Sequence, residues 1–182
     1  MFKSLFRKDP SIEAGEALYG AAVEQARNVV FYERFGVPDS VEGRFEMVAL
    51  HAWLVLRRLK GGEVAGAQVV SQKFSDAMFT SLDAALREMG VGDLVVSKKI
   101  RKLAENFYGR IGAYEGALGL ETNAGEDGLD ASLARNVYES ADGAIATALG
   151  LYLRGAAVFL DEQPQSRLVG GLVRFPAPEE FL

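Results

Sequence analysis

The sequence predicts an all-α fold, a single compact multi-helix bundle with an irregular C-terminal tail, on three observations. Apolar residues recur at steps of three and four along most of the chain, the period of one helix face. The best strand candidate, Val169–Val173, has Gly170 and Gly171 at its centre, where a strand is weakest. A chain of 182 residues with 49% hydrophobic side chains is long enough for one core and too apolar to be disordered. The expected organisation is a basic tail over residues 1–10, a helical domain over 11–162 and the irregular tail over 163–182.

A first helix is expected from Ser11 to about Phe35, marked by Ile12, Leu18, Ala22, Val29 and Val30, and Pro38 cannot continue it. The loop Gly36–Gly43 offers Asp39 or Ser40 as a cap for the next helix. Arg44 to Lys60 is apolar almost all round, which places it at the centre of the bundle. Arg57, Arg58 and Lys60 suit its C-terminal dipole, and Gly61-Gly62 ends it. Gln68 to Met89 repeats the pattern through Val70, Phe74, Met78 and Leu82, with Gly90 and Gly92 as its stop. Ser97 is expected to cap a helix from about Lys98 to Leu118 with a stripe of Ile100, Leu103, Phe107, Ile111, Tyr114 and Leu118. After an acidic loop over Glu121–Gly128, Asp130 is expected to cap one last long helix running to Leu160. Beyond Gln163, Pro164, Pro176 and Pro178 oppose regular helix.

Composition narrows the chemistry. Without cysteine there is neither a disulfide framework nor a thiolate metal site, and one histidine makes no histidine-rich centre. A net charge of −5 gives no global attraction to nucleic acid, so such a contact needs a local basic patch. The basic start Met1–Lys8 lacks the apolar run of a secretory signal and is short for a transit peptide, which suggests a bacterial cytoplasmic protein, peripheral at the inner membrane if the tail lies on lipid. Ala144–Leu160 is short for a membrane span and interrupted by Arg154, so it reads as a core helix.

Three features carry functional readings. Lys98, Lys99, Arg101 and Lys102 crowd the expected start of a helix, where cations oppose the dipole and free N–H groups attract anions. They read either as a contact to RNA, anionic lipid or an acidic protein, or as a solvated face neutralised by neighbouring acids. Gly109, Gly112 and Gly116 occupy successive turns of the same helix, although each costs about 1 kcal/mol relative to alanine. Such spacing lets a second helix approach closely, either within the domain or from a partner. His51, among Leu50, Trp53, Leu54 and Val55, reads as a hydrogen-bonded core residue, with haem or small-ligand binding as the alternative. No nucleophile pair, metal cluster or phosphate loop accompanies these features, so no catalytic, metal or cofactor residues are assigned and no enzymatic activity is expected.

Three blocks, Gly36-Val37-Pro38-Asp39 with Gly43-Arg44-Phe45, Leu86-Arg87-Glu88-Met89-Gly90-Val91-Gly92-Asp93, and Phe107-Tyr108-Gly109-Arg110 with Ala113-Tyr114, resemble those of the ubiquinol–cytochrome c chaperone family. The resemblance covers roughly Ala14 to Leu160. It implies an all-helical, non-enzymatic assembly factor that receives newly made cytochrome b for respiratory complex III. The mitochondrial members work with a small partner protein near the ribosomal tunnel exit. Under this resemblance Phe107, Tyr108, Gly109, Gly112 and Gly116 are candidates for the client surface. Lys98, Lys99, Arg101 and Lys102 are candidates for a ribosomal or lipid-phosphate contact. Asp39, Arg44, Arg87, Asp93 and Arg110 are candidate structural residues tying loops to helices.

Overall fold

The computed structural model describes residues 9–61, 64–118 and 128–182, and these are all-α. The basic start and all of the acidic loop except Gly128 lie outside the described residues. The principal helices are α1 (Pro10–Ala26), α2 (Val29–Glu33), α3 (Val41–Lys60), α4 (Ala67–Glu88), α5 (Asp93–Leu118), α6 (Leu129–Val137), α7 (Thr147–Asp161) and α8 (Gln165–Val169). Short 3-10 turns at Gly143–Ala146 and Pro178–Phe181 complete them.

As its all-round apolarity predicts, α3 forms the axis of the molecule. One side of it meets α2, α6 and α7 in a core of Phe31, Leu50, Leu54, Leu133, Leu149 and Tyr152. The other side meets α1 and α4 through Ala49, Ala52, Val55, Leu18, Val70 and Phe74. The α1–α4 crossing is tight: a Cβ on Gly15 would stand 2.6 Å from the Lys73 carbonyl carbon, so only glycine permits this approach.

Three of the differences between the helix boundaries and the periodicity have a clear local reason. The expected first helix breaks because the Asn28 side chain accepts from the Val30 N–H at 3.0 Å and starts α2 afresh. The expected last helix is split into α6, a 3-10 turn and α7, with Asp142 Oδ1 capping the turn through the Ala144 N–H at 3.0 Å. Most consequentially, α5 begins at Asp93 and not near Ser97. The carbonyl of Gly92 already accepts from Val95 and Val96, and Asp93 gives the first turn the negative charge that its dipole favours. Asp130 does not cap the helix expected of it: it lies inside α6, whose N-cap is Gly128 with no side-chain bond, and it pairs with Arg154 instead. Nor is the tail wholly irregular, because Pro164 stands at the N-cap of α8, where a missing N–H costs nothing. Two expected signals hold. Ser40 Oγ accepts from the Gly43 N–H at 3.0 Å, and Gly90, at φ 81°, closes α4 with a Val91 N–H to Leu86 carbonyl bond of 3.0 Å.

The C-terminal residues are tied to the helix ends. Gln165 Nε2 donates to the carbonyls of Leu59 at 2.7 Å and Arg58 at 3.2 Å, which the end of α3 would otherwise leave open. Reciprocally, the Arg58 guanidinium donates to the carbonyls of Leu160 at 3.0 Å and Gln163 at 2.7 Å, closing α7. Gln163 exchanges two bonds with the Arg174 backbone, at 2.8 and 3.0 Å. Arg57 adds a bidentate pair with Asp161 at 2.8 and 2.9 Å.

The Gly143–Asp161 stretch is long and apolar enough by length and composition to cross a membrane, with mean hydropathy 1.6, and 44% of it is buried in the fold. Its inner face supplies Leu149, Tyr152, Leu153, Ala156 and Leu160 to the core, while Leu151 and Val158 stay exposed. Arg154 finds Asp130 on α6 at 3.2 Å.

Candidate functional site

The features singled out in the sequence converge on α5. Lys98, Arg101, Lys102, Glu105, Tyr108, Gly109, Gly112 and Gly116 succeed one another at helical steps and are all exposed. They make one solvent-facing strip about 27 Å long at 1.5 Å per residue. Lys99 is exposed beside it.

The strip differs at both ends from its sequence reading. Because α5 starts at Asp93, the basic residues occupy its second and third turns, away from the free N–H groups of the first. The helix-start anion site inferred from Ser97 is therefore absent. Arg101 pairs with Glu105 at 3.7 Å, whereas Lys98, Lys99 and Lys102 carry no ion pair among the described residues. Phe107 points inward at 2% exposure and packs with the α1–α4 core, so it contributes nothing to the surface. Tyr108, 54% exposed, leans edge-on against it at 5.4 Å between ring centres.

The glycines give the clearest result. A Cβ added at Gly109, Gly112 or Gly116 would meet no described atom within 4 Å. Close packing among the described residues thus explains none of them, in contrast to Gly15. Gly112 and Tyr108 border a cleft of about 450 Å³ between α3, α4 and α5, whose walls include Trp53, Arg57, Gln72 and Glu115. Trp53 Nε1 donates to Glu115 Oε2 at 2.9 Å on that wall. Beyond the basic end, Met89 at the end of α4 and Leu94 and Val95 in the first turn of α5 are exposed, with Leu94 at 98% exposure.

The candidate structural residues form ion pairs. Arg44 Nε donates to Asp39 Oδ1 at 2.6 Å, across the loop that opens α3. Arg87 joins Asp83 one turn back and Asp93 at the start of α5, which couples two helices through one guanidinium. Arg110 reaches Glu46 on α3 at 2.5 Å and lies 5.9 Å from the Phe45 ring centre. Glu46 is a residue that periodicity alone passed over, since a single acid in an apolar helix leaves no spacing signal. Burial pushes its carboxyl up to about 7, against the opposing pull of Arg110.

His51 is fully enclosed and satisfied. Its Nδ1 lies 2.7 Å from the Met47 carbonyl and its Nε2 2.8 Å from the Tyr152 hydroxyl. A carbonyl only accepts, so Nδ1 carries the proton and Nε2 accepts from Tyr152. Gln25 Nε2 in turn donates to Tyr152 Oη at 3.1 Å and to the Pro176 carbonyl at 3.2 Å. Burial lowers the His51 pKa to about 4. With both ring nitrogens engaged, neither is left to ligate haem iron, and the haem alternative is not favoured. Among the described residues no cluster of three or more His, Cys, Asp or Glu side chains is placed to hold a metal ion.

Comparison with known proteins agrees with the motif resemblance. Residues 33–175 match the family model described as ubiquinol-cytochrome C chaperone. The chain is 26% identical over 98 residues to ubiquinol-cytochrome-c reductase complex assembly factor 1 of Xenopus laevis, covering 54% of this chain and 48% of that protein. It is 28% identical over 122 residues to the Mus musculus counterpart, covering 66% of this chain and 39% of that protein. The chain therefore spans less than half the length of these curated relatives. A crystal structure of the Cbp3 homolog from Brucella abortus superposes with a TM-score of 0.81 at 34% identity, covering 94% of this chain and 93% of that one.

Proposed function

The chain belongs to the ubiquinol–cytochrome c chaperone family, and from that premise we propose that it is a non-enzymatic assembly factor for respiratory complex III whose client is newly made cytochrome b. One observation carries the choice of surface: the glycines of α5 are exposed and meet no packing partner among the described residues. Transmembrane helices associate through small residues that let backbones approach, and a chaperone that holds such helices before assembly needs the same complement. The cleft beside Gly112, with Tyr108 at its edge, offers the aromatic and apolar contact that a membrane helix outside lipid requires.

The protein works in a bacterial cytoplasm, peripheral at the inner membrane, where cytochrome b emerges. The cations of α5 face the ribosome near the tunnel exit, and a small helper protein completes the complex. Deleting the gene is expected to lower assembled cytochrome b while its transcript stays constant. Complementation with the native sequence restores assembly, and complementation with Gly109→Leu and Gly112→Leu does not. Normal complex III in the deletion strain would remove the proposal.

The ribosomal contact has its own test. Lys98→Glu, Lys99→Glu and Lys102→Glu together are expected to reduce ribosome co-sedimentation at low salt roughly tenfold, and raising the salt should release the native protein similarly. Equal sedimentation of both proteins would assign these lysines to solvent.

A further inference from the structure

A second cleft, of about 430 Å³, opens between α1, α3, α4 and α5 on the side that carries Glu46 and Arg110. Its volume lies within the range of small-molecule sites, roughly 300 to 1,000 Å³. The walls are largely apolar, with Tyr19, Phe45, Val48, Leu82, Leu86 and Leu103 contributed by four helices. Arg27, Glu42, Arg44, Ser81 and Asn106 add polar groups to the lining, and the Glu46–Arg110 ion pair lines it as well.

That pair is incompletely satisfied. Glu46 is 4% exposed, and although its Oε1 meets Arg110 Nη2, its Oε2 is buried with no hydrogen-bond partner. Arg110 Nε is likewise buried and unpartnered. A buried donor or acceptor left without a partner destabilises the fold, more so when the group is charged. One vacant acceptor beside one vacant donor calls for a group that both donates and accepts. A carboxylate would be repelled by Glu46 and an ammonium by Arg110, so the complement is neutral.

The geometry points to a binding site for a neutral, hydroxyl-headed apolar molecule, its head bridging Glu46 Oε2 and Arg110 Nε and its tail filling the cleft. The hydroxyl donates to Glu46 and accepts from Arg110, and the ion pair stays in place. The site is separate from the glycine strip and does not depend on the client reading.

Isothermal titration of the full chain at pH 8 with 1-octanol, octanoate and octylammonium compares three heads on one tail length. 1-Octanol is expected to bind at least tenfold more tightly than either ion. Ala85 lines the cleft from an exposed position on α4. Ala85→Trp should therefore lower octanol affinity tenfold or more. Ala84→Trp, one residue away on the same exposed helix, should leave it unchanged, and circular dichroism confirms that both variants fold. Equal affinity for the three heads, or octanol binding indifferent to Ala85→Trp, would overturn the assignment. So would no binding up to the solubility of octanol, which would leave the two atoms to a bridging water.

Discussion

Alanine at positions 109, 112 and 116 together is expected to stabilise the protein while impairing its work. Each glycine sits in the interior of α5 with open space where a Cβ would go, so the substitution adds no clash. Relative helix propensity then favours alanine by about 1 kcal/mol per site. The triple variant should gain roughly 2–3 kcal/mol, and at about 2–4 °C per kcal/mol for a chain of this size its Tm should rise by about 4–12 °C. Capture of the proposed membrane client should fall in the same variant, and further with leucine, because the added carbon atoms hold an approaching helix backbone away. Thermal denaturation and in vivo crosslinking measure the two effects on one protein. A variant that loses stability would show that the glycines serve the fold. One that gains stability and keeps full client capture would free them from the client role.

The second large effect concerns His51. His51→Ala removes an enclosed ring that packs against Phe31 at 5.4 Å and Phe175 at 5.2 Å between ring centres, leaves the Tyr152 O–H without its acceptor, and takes one donor from the Met47 carbonyl. Cavity and lost hydrogen bonds together are expected to cost about 3–5 kcal/mol, measured by urea denaturation at pH 7.5. A loss below about 1 kcal/mol would mean that the network contributes little.

The same residue sets an acid limb. Its pKa is about 4 when folded against 6.5 for the free side chain, so the unfolded chain takes up the proton first as pH falls. The contribution is complete above pH 6.5 and disappears progressively down to pH 4, about 3 kcal/mol in all. Glu46 acts in the opposite sense. Its carboxyl is raised from 4.5 to about 7, so it favours the fold below pH 4.5 and loses that contribution as pH rises to 7. Comparing native protein with His51→Ala at pH 7.5 and pH 5 isolates the histidine limb, because Glu46 is common to both. The change in stability on acidification should be less favourable in the native protein than in the variant, by about 2 kcal/mol.

Much of the fold was legible because the helix-forming pattern is strong and its punctuation local. The apolar surround of α3 predicted its central place, and Gly90 and Ser40 marked boundaries that the backbone uses. What periodicity could not see were interruptions that leave the apolar repeat intact. Asn28 starts a new helix without disturbing the spacing around it, and Leu94 and Val95 look like stripe residues although they are exposed in the first turn of α5. That turn moved the helix start and with it the meaning of the lysines. The candidate strip was legible in composition, since interior glycines and clustered cations stand out. Its solvent exposure was not, because spacing alone cannot tell a helix packed on its neighbour from one facing water. Glu46 and the two C-terminal glutamines escaped notice for a related reason: their roles depend on groups distant in sequence.

Those glutamines bear on the order in which the molecule can be finished. The carbonyls at the end of α3 wait for a side chain 106 positions further along, from Leu59 to Gln165. On a ribosome the final turn of the central helix stays unsealed until Gln165 has emerged. Sealing that helix therefore waits on distant parts of the chain meeting, and a nascent copy of the protein cannot finish its central helix before the segment carrying Gln165 is free to dock.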